Sequence, residues 1–565
     1  MKILFVVPPN IGFTDFVSPP SNVKVQRMLN GQSVGSVITD MPLGIISLSA
    51  YLKKNIDVET RGIDFNVALN KLDKFEWPSF KEYFKEVLTN EIEFFQPDVI
   101  GISALFSTAF RNLIDLGEVS RELRPAAFVI AGGNVPTVSY RDIFAETDVF
   151  DAVCHGEGEV PLLELLESKS MPEHVEESLT WITKNKLDKN LDFAHNFINE
   201  LDQIPFDYSI IRQDDYELNP TIRYYSSVKS KGKSFNIMTS RGCPFKCIFC
   251  ASHRTHGREM RYHSLARVKE DILSLKNDFG IKVITIEDDH FMGDKKRAYD
   301  IVKFIGEQGI TAFFPNSLAL YALSREMLVA LKEAGVEQLI LAVESGSDYV
   351  LKNVMKKPLK LDIVRRVAKD CREIGIYTDC NILIGLPGER KQDIDDTRKF
   401  LKTVGANWFR INVATPLLGS EMHDICEEKN YFKGVVIESN YKKAIVGTEN
   451  FDPQYIQETT YDMNIELNFV YNADMMFGNY EVALKGFENA IVAKPDHAVA
   501  LYYSSICHDH LGNEKVAAQL FEQAKKAYKT SQIWEKYVKL YSLPITDENS
   551  IPYRAMHHTS QARHG

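Results

Sequence analysis

Cysteine is scarce in this chain, with eight residues in 565. That is too few for a disulfide-stapled scaffold. Five of the eight (Cys154, Cys371, Cys380, Cys426 and Cys507) are scattered in apolar or mixed surroundings, as buried reduced thiols are. No apolar run reaches the roughly 20 residues that span a bilayer. An excess of positive charge is also missing: 66 Lys and Arg against 77 Asp and Glu leave a net charge of −11. That excludes a general nucleic-acid binder and a polybasic membrane surface. The opening MKILFVVPPN lacks a small-residue cleavage site, and Pro8 and Pro9 end it as they would end a strand. It reads as the first strand of a cytoplasmic protein. The length suggests about three or four domains.

What is present is alternation. Over residues 1–165, KILFVV, VETRGIDF, PDVIGISAL and AAFVIAGGN read as strands, and PLGIISLSAYLKKN and FRNLIDLGEVSREL as amphipathic helices. Fully apolar strands separated by helices predict an α/β, doubly wound parallel sheet of the Rossmann-like kind. Ligands of such sheets sit beyond the carboxyl ends of the strands. The loops falling there carry Pro8, Pro9 and Asn10, then Ser103, Ala104 and Leu105, then Gly132, Gly133 and Asn134. Residues 166–232 read as a connector. Six further strands (FNIMTS, VITIED, TAFFPN, EQLILAVE, YTDCNILIGL and WFRINVAT) alternate with helices over 233–440 and predict a partial (β/α)6 TIM barrel. A linker is expected over 441–463. Over 464–545, FGNYEVALKGFENAIVAKP aligns with LGNEKVAAQLFEQAKKAYK at tetratricopeptide (TPR) spacing: Gly478 matches Gly512, Ala483 matches Ala517, Phe487 matches Phe521 and Ala490 matches Ala524. This predicts an all-α TPR-like segment packed on the barrel or on a partner. A polar tail occupies 546–565.

The remaining three cysteines stand together in SRGCPFKCIFC, at Cys243, Cys247 and Cys250. Structural zinc wants four N or S ligands. Three thiolates on one tight loop suit a larger object, a four-iron cluster in which one iron stays open to a second ligand. The loop follows the first barrel strand, which would set the cluster at the barrel mouth.

With that motif the sequence resembles the radical S-adenosylmethionine (SAM) enzymes, and SAM is the ligand the resemblance implies for the open iron. MPLGIISLSAYL, PDVIGIS, VIAGGNVPT, AVCHGEGE, IPFDYSII, TIEDDHF, LAVESGSDYVLKNVMKK, ILIGLPGE and ATPLLGSEM extend the resemblance over residues 1–425. They do so toward the subgroup with a cobalamin-binding domain, which includes the anaerobic magnesium-protoporphyrin ester cyclase and B12-dependent methylases. The resemblance implies a [4Fe-4S] cluster on Cys243, Cys247 and Cys250. It implies SAM contacts from Phe249 (adenine), Asp288 and Asp289 (methionyl amino group), Glu344 (polar groups), and Leu383, Ile384 and Gly385 (adenine). The family often has glycine where this chain has Asn381. Cobalamin would rest on Pro9, Asn10, Ser103, Ala104, Leu105, Gly132, Gly133 and Asn134. Asp288–Asp289–His290–Phe291–Met292–Gly293 mimics the cobalt-ligand motif of cobalamin mutases but falls inside the barrel. His155 is the other candidate below cobalt and reads better as a turn cap. The stretch Gly12–Asp40 is a candidate lid or a surface loop.

The function implied is radical methylation of an unactivated carbon. Ring formation or another C–H functionalisation without methyl transfer, a radical SAM enzyme that has lost cobalamin, and a TPR scaffold with a remnant barrel stand as alternatives. The partners implied are a small-molecule or peptide substrate, an electron donor such as flavodoxin or ferredoxin, and a protein partner for the TPR-like segment.

Overall fold

The structure is a computed structural model that describes residues 1–19, 25–37, 39–189, 191–216, 232–434 and 443–545. The expected tail over 546–565 and parts of the expected lid, connector and linker lie outside the described residues.

The first sheet contains β1 (Lys2–Val7), β2 (Glu59–Asp64), β3 (Val99–Ser103), β4 (Phe128–Gly132), β5 (Ala152–Cys154) and β6 (Trp181–Ile182), in the order β2-β1-β3-β4-β5-β6. The first five are parallel, and β6 pairs antiparallel with β5. Ile3, Leu4, Phe5 and Val6 are at most 2% exposed, because helices cover both faces. The helix Phe80–Phe95 shows why. Ser79 Oγ accepts the Glu82 amide at 3.2 Å to start it, and Phe80, Tyr83, Phe84, Leu88, Ile92 and Phe95 form its buried stripe. The strand order reverses between β1 and β3, so the crevice for a ligand opens beyond their carboxyl ends. The sheet passes the boundary expected at residue 165. The two residues of β6 carry no alternation of their own, and only pairing with β5 makes them a strand.

The second unit has β7 (Ser234–Ile237), β8 (Val283–Ile286), β9 (Thr311–Phe313), β10 (Gln338–Glu344), β11 (Tyr377–Ile384) and β12 (Trp408–Val413). They form two parallel three-stranded sheets, β9-β8-β7 and β10-β11-β12, joined by a parallel bridge between Leu318 and Leu341. Phe235, Ile237, Ile284, Ile286, Cys380, Ile382 and Ile384 bury one face in the main core.

The expected linker is largely a helix, Pro453–Ile465, prolonged by a π turn to Val470. Asp452 caps it by accepting the Tyr455 amide at 2.7 Å. Its asparagines close the exposed edge of β12. Asn468 Oδ1 accepts the Phe409 amide at 2.8 Å while its Nδ2 donates to the Phe409 carbonyl at 2.7 Å, and Asn464 does the same for Ile411 at 3.4 and 3.0 Å. Side-chain amides thereby stand in for a seventh strand. Four further helices, Tyr480–Ala493, Ala498–His510, Glu514–Thr530 and Gln532–Leu540, share a core around Phe487 and Trp534, both 0% exposed. Gly478 (φ 74°) and Gly512 (φ 79°) precede the first and third of them. A Cβ on Gly486 would lie 2.3 Å from the Trp408 ring, so this bundle is seated directly on β12. Among the described residues no helix is long and apolar enough to cross a membrane.

The two α/β units meet through buried charge. Glu157 and Glu159 follow β5, and Arg241 and Arg261 flank the cysteine loop; all four are at most 8% exposed. Arg261 donates to both Glu157 oxygens at 2.8 and 2.6 Å. Arg241 reaches Glu157 at 3.2 Å and Glu159 at 2.8 Å. Ser47 donates to Glu159 at 2.5 Å, and His256 Nδ1 lies 2.8 Å from Glu157. Burial works against ionising Glu157, but Arg241, Arg261 and His256 outweigh it and hold the carboxyl far below the usual range.

Two predictions follow from these contacts. Asn468→Leu leaves both polar groups of Phe409 unpaired, and we expect a loss of about 1–3 kcal/mol, read as a lower denaturation midpoint and faster amide exchange at Phe409. Glu157→Ala leaves the buried Arg261 guanidinium without a carboxylate while Arg241 keeps Glu159, and we expect about 3–5 kcal/mol of destabilisation at neutral pH. Because the native carboxyl is depressed, that stabilisation is complete above the ordinary glutamate pKa of about 4.3 and fades as pH falls below it. The gap in thermal midpoint between wild type and variant should therefore narrow on acidification.

Candidate functional site

The cysteine loop is held at both ends. At its start Gly242 has φ 94°, and a Cβ there would lie 2.2 Å from the Glu259 carbonyl, so only glycine fits. The Cys243 amide donates to the Gly257 carbonyl at 3.3 Å. In its middle Ile248, 2% exposed, plugs a pocket with Val350, Leu351, Met355, Leu386 and Met422. The Ile248 amide donates to Met355, and its carbonyl accepts from Met422 at 2.8 Å. Anchoring Ile248 leaves Cys243, Cys247 and Cys250 half-buried on one turn. Burial pushes the Cys243 thiol up to about 11 and raises Cys247 as well, so binding a metal there must release protons. Among the described residues no three His, Cys, Asp or Glu side chains converge tightly enough for a single metal ion.

Next to the loop is a cavity of about 370 Å³ lined by Phe249, Cys250, Glu344, Asn381, Leu383, Asn412, Thr415 and Leu417. Glu344 ends β10 with φ 68°, a strained conformation for a non-glycine residue. A register shift between Ala342 and Glu344 turns its carboxyl into the cavity. Burial raises its pKa against the pull of Lys357, whose Nζ is 3.9 Å away. Asp289 has a buried oxygen, Oδ2, without a hydrogen-bond partner, and its charge is felt by Cys243.

Other expected contacts are placed differently. Asp288 is 3% exposed and wholly engaged: it accepts from the Thr239 amide, Thr239 Oγ1 and Ser240 Oγ, each at 2.6 Å. It braces the strand end that launches the cysteine loop. Ile384 is 1% exposed in the main core, because the two-residue period of β11 sends Asn381 and Leu383 toward the cavity and Ile384 away from it. Gly385 (φ 93°) has Ile456 behind it, 2.9 Å from where a Cβ would be, so the close approach there is to the helix Pro453–Ile465. Asn412, Thr415 and Leu417 were not foreseen. Counting outward by two along β12 finds Asn412, but the loop beyond it carries no periodic signal.

At the carboxyl ends of the first sheet, the backbone after β1 is fixed by two asparagines. Asn66 accepts the Asn10 amide at 2.8 Å, and Asn112 donates to the carbonyls of Pro9 (2.8 Å) and Ile11 (2.9 Å). Ser103 and Ala104 continue β3 into Leu105 and Phe106, 60% and 46% exposed. Gly132 ends β4 and Gly133 follows it; a Cβ on Gly133 would lie 2.6 Å from the Ala104 carbonyl, so the two loops pack closely there. Asn134 Oδ1 is already taken: Thr255, just past the cysteine loop, donates to it at 3.0 Å. His155 stacks on His195 (centroids 4.4 Å apart) and faces the Ala194 carbonyl at 3.2 Å. His290 lies in the second unit, 3.1 Å from Tyr321 Oη. Of the expected lid, Phe13 and Phe16 pack on Phe75 and Phe80 of the first unit.

Comparison with known proteins bears on both units. Residues 33–166 match the B12 binding domain and residues 237–401 the radical SAM superfamily. An uncharacterised methyltransferase of Pyrococcus horikoshii is 27% identical over 78% of this chain and 86% of its own. The cytidylyl-2-hydroxyethylphosphonate methyltransferase of Streptomyces wedmorensis is 25% identical over 66% and 75%. The anaerobic magnesium-protoporphyrin IX monomethyl ester cyclase of Cereibacter sphaeroides is 24% identical over 62% and 57%. Among solved structures, the radical SAM methyltransferase TsrM of Kitasatospora setae, with cobalamin and a [4Fe-4S] cluster bound, shares the fold. Its TM-score is 0.57 at 14% identity, over 94% of this chain and 99% of that one. The chain thus joins a B12-binding domain to a radical SAM domain.

Proposed function

We propose that this protein is a cobalamin-dependent radical SAM methyltransferase acting on an unactivated carbon. The observation that carries the reading is the docking of the cysteine loop against the carboxyl ends of the first sheet, through Glu157, Glu159, Arg241 and Arg261. Three half-buried thiols on one turn suit a [4Fe-4S] cluster with an open iron. The unpaired Asp289 oxygen and the Glu344 carboxyl suit the amino group of SAM, and Phe249 and Leu383 suit its adenine. The exposed apolar Leu105 and Phe106 beside the Gly132–Gly133 floor suit a flat corrin.

When bound, SAM with the cluster would supply a hydrogen-abstracting radical and cobalamin a transferable methyl group. The chain's own residues do the rest. Asp288 fixes the loop, Glu344 and Asp289 would orient the sulfonium cofactor, and the interdomain ion network holds the cysteine loop against the end of the first sheet. We read the six strands as an open (β/α)6 barrel and the C-terminal helices as TPR-like. In this reading the helices brace β12 and present a surface to a protein partner, and a flavodoxin- or ferredoxin-like donor supplies electrons.

The test is anaerobic reconstitution with iron, sulfide and hydroxocobalamin, followed by reduction with SAM. We expect cluster and corrin absorbance together with 5′-deoxyadenosine. Replacing Cys243, Cys247 and Cys250 by alanine should remove the cluster band and the deoxyadenosine while the corrin spectrum stays. With substrate present, the product should gain one methylene; a product that has only lost hydrogen or gained oxygen would favour cyclase-type chemistry.

A further inference from the structure

The space enclosed by β7–β12 has a feature that cofactor binding does not use. Its floor is apolar: Val283, Phe313 and Ile340, at most 5% exposed, close it from below. Directly above, the lining turns polar on one wall. Thr285 and Glu287 follow Val283 at the strand's two-residue period, and Thr285 pairs in register with Asn236 of β7. Asn236 Nδ2 donates to Glu287 Oε1 at 2.9 Å, which sets both side chains on the inner face. Thr285 is 1% exposed, yet its hydroxyl has no hydrogen-bond partner. A buried unpaired hydroxyl costs about 1–3 kcal/mol, so its place in this wall asks for a ligand.

The charge of the space is equally one-sided. On the opposite wall the Arg410 guanidinium donates to Asp379 at 2.6 Å and is thereby neutralised. Glu287 faces Asn236 from β7, Asp288 from its own strand end and Asp40 from the first unit, while Asn316 donates to its main-chain carbonyl. Burial first, then Asp40 and Asp288, push its carboxyl up to about 8. An ammonium group beside it would relieve both effects.

We propose that this inner wall, Asn236, Thr285 and Glu287, holds an amine-bearing head group of the substrate, placing a polar, cationic molecule rather than an apolar lipid under the SAM cavity. The proposal rests on the radical SAM reading above and names the substrate class for it.

The experiment uses the reconstituted full chain and offers deuterated fragments to the radical: ethanolamine-d4, ethylene glycol-d4 and propionate-d5 at equal concentration. The readout is the fraction of 5′-deoxyadenosine that carries deuterium, which does not depend on how much is formed. We expect ethanolamine to exceed both other fragments. We expect Thr285→Val and Glu287→Gln each to lower the ethanolamine fraction about fivefold or more, with Thr285→Ser restoring it. Equal labelling from all three fragments, preference for propionate, or indifference to both variants would overturn the amine assignment while leaving the radical chemistry intact. Absence of deoxyadenosine from the wild type would overturn the underlying reading and this one with it.

Discussion

Four buried charges and one serine hold this molecule's chemistry in place. Glu157 and Glu159 belong to the end of one sheet, Arg241 and Arg261 to the ends of the cysteine loop, and Ser47 to a helix of the first unit. A buried ion cluster of this kind is weak evidence for net stability, since desolvation offsets much of the attraction. Its strength is directional. Bidentate guanidinium–carboxylate pairs tolerate little rotation, so the network sets the orientation of one unit on the other where an apolar interface would allow sliding. The seating of the cysteine loop against the carboxyl ends of the first sheet inherits its geometry from these contacts.

A second constraint comes from the open edge. Two three-stranded parallel sheets joined by a single bridge leave β12 unpaired on one side. An exposed parallel edge invites pairing with another chain. Here Asn464 and Asn468 satisfy its backbone from a helix, and the helical bundle behind sits on Trp408. The C-terminal helices are thus part of how the cavity wall holds its shape, since Asn412 on the same strand lines that cavity.

Much of this was legible residue by residue. The apolar runs in KILFVV and VITIED announce buried parallel strands, and CPFKCIFC announces its own chemistry because three thiolates at that spacing suit few other tasks. Period two along β11 separates Leu383 from Ile384 once the inner face is known. What failed had no local signal. Trp181–Ile182 becomes a strand only because β5 offers an edge. The helix Pro453–Ile465 looks like linker because its buried face mixes Ile456, Thr459 and Met463 with the edge-capping Asn464 instead of repeating a leucine stripe. Asp288 and Asp289 are adjacent acids with the same propensity, yet one is consumed by Thr239 and Ser240 while the other keeps a free oxygen.

Sequence alone therefore determined the parts: the alternating elements, the thiol triplet, the glycines beside it, and the two domain types they mark. These follow from periodicity and from side-chain chemistry, which are properties of neighbours along the chain. Tertiary structure decided which acid faces a ligand, which face of each strand looks inward, and how two sheets are aimed at each other. Those outcomes depend on hydrogen bonds and ion pairs between residues about 50 to 100 positions apart, such as Thr239 with Asp288 and Glu157 with Arg261. Only folding brings such pairs within reach, and the cost of leaving a buried polar group unpaired then selects one arrangement.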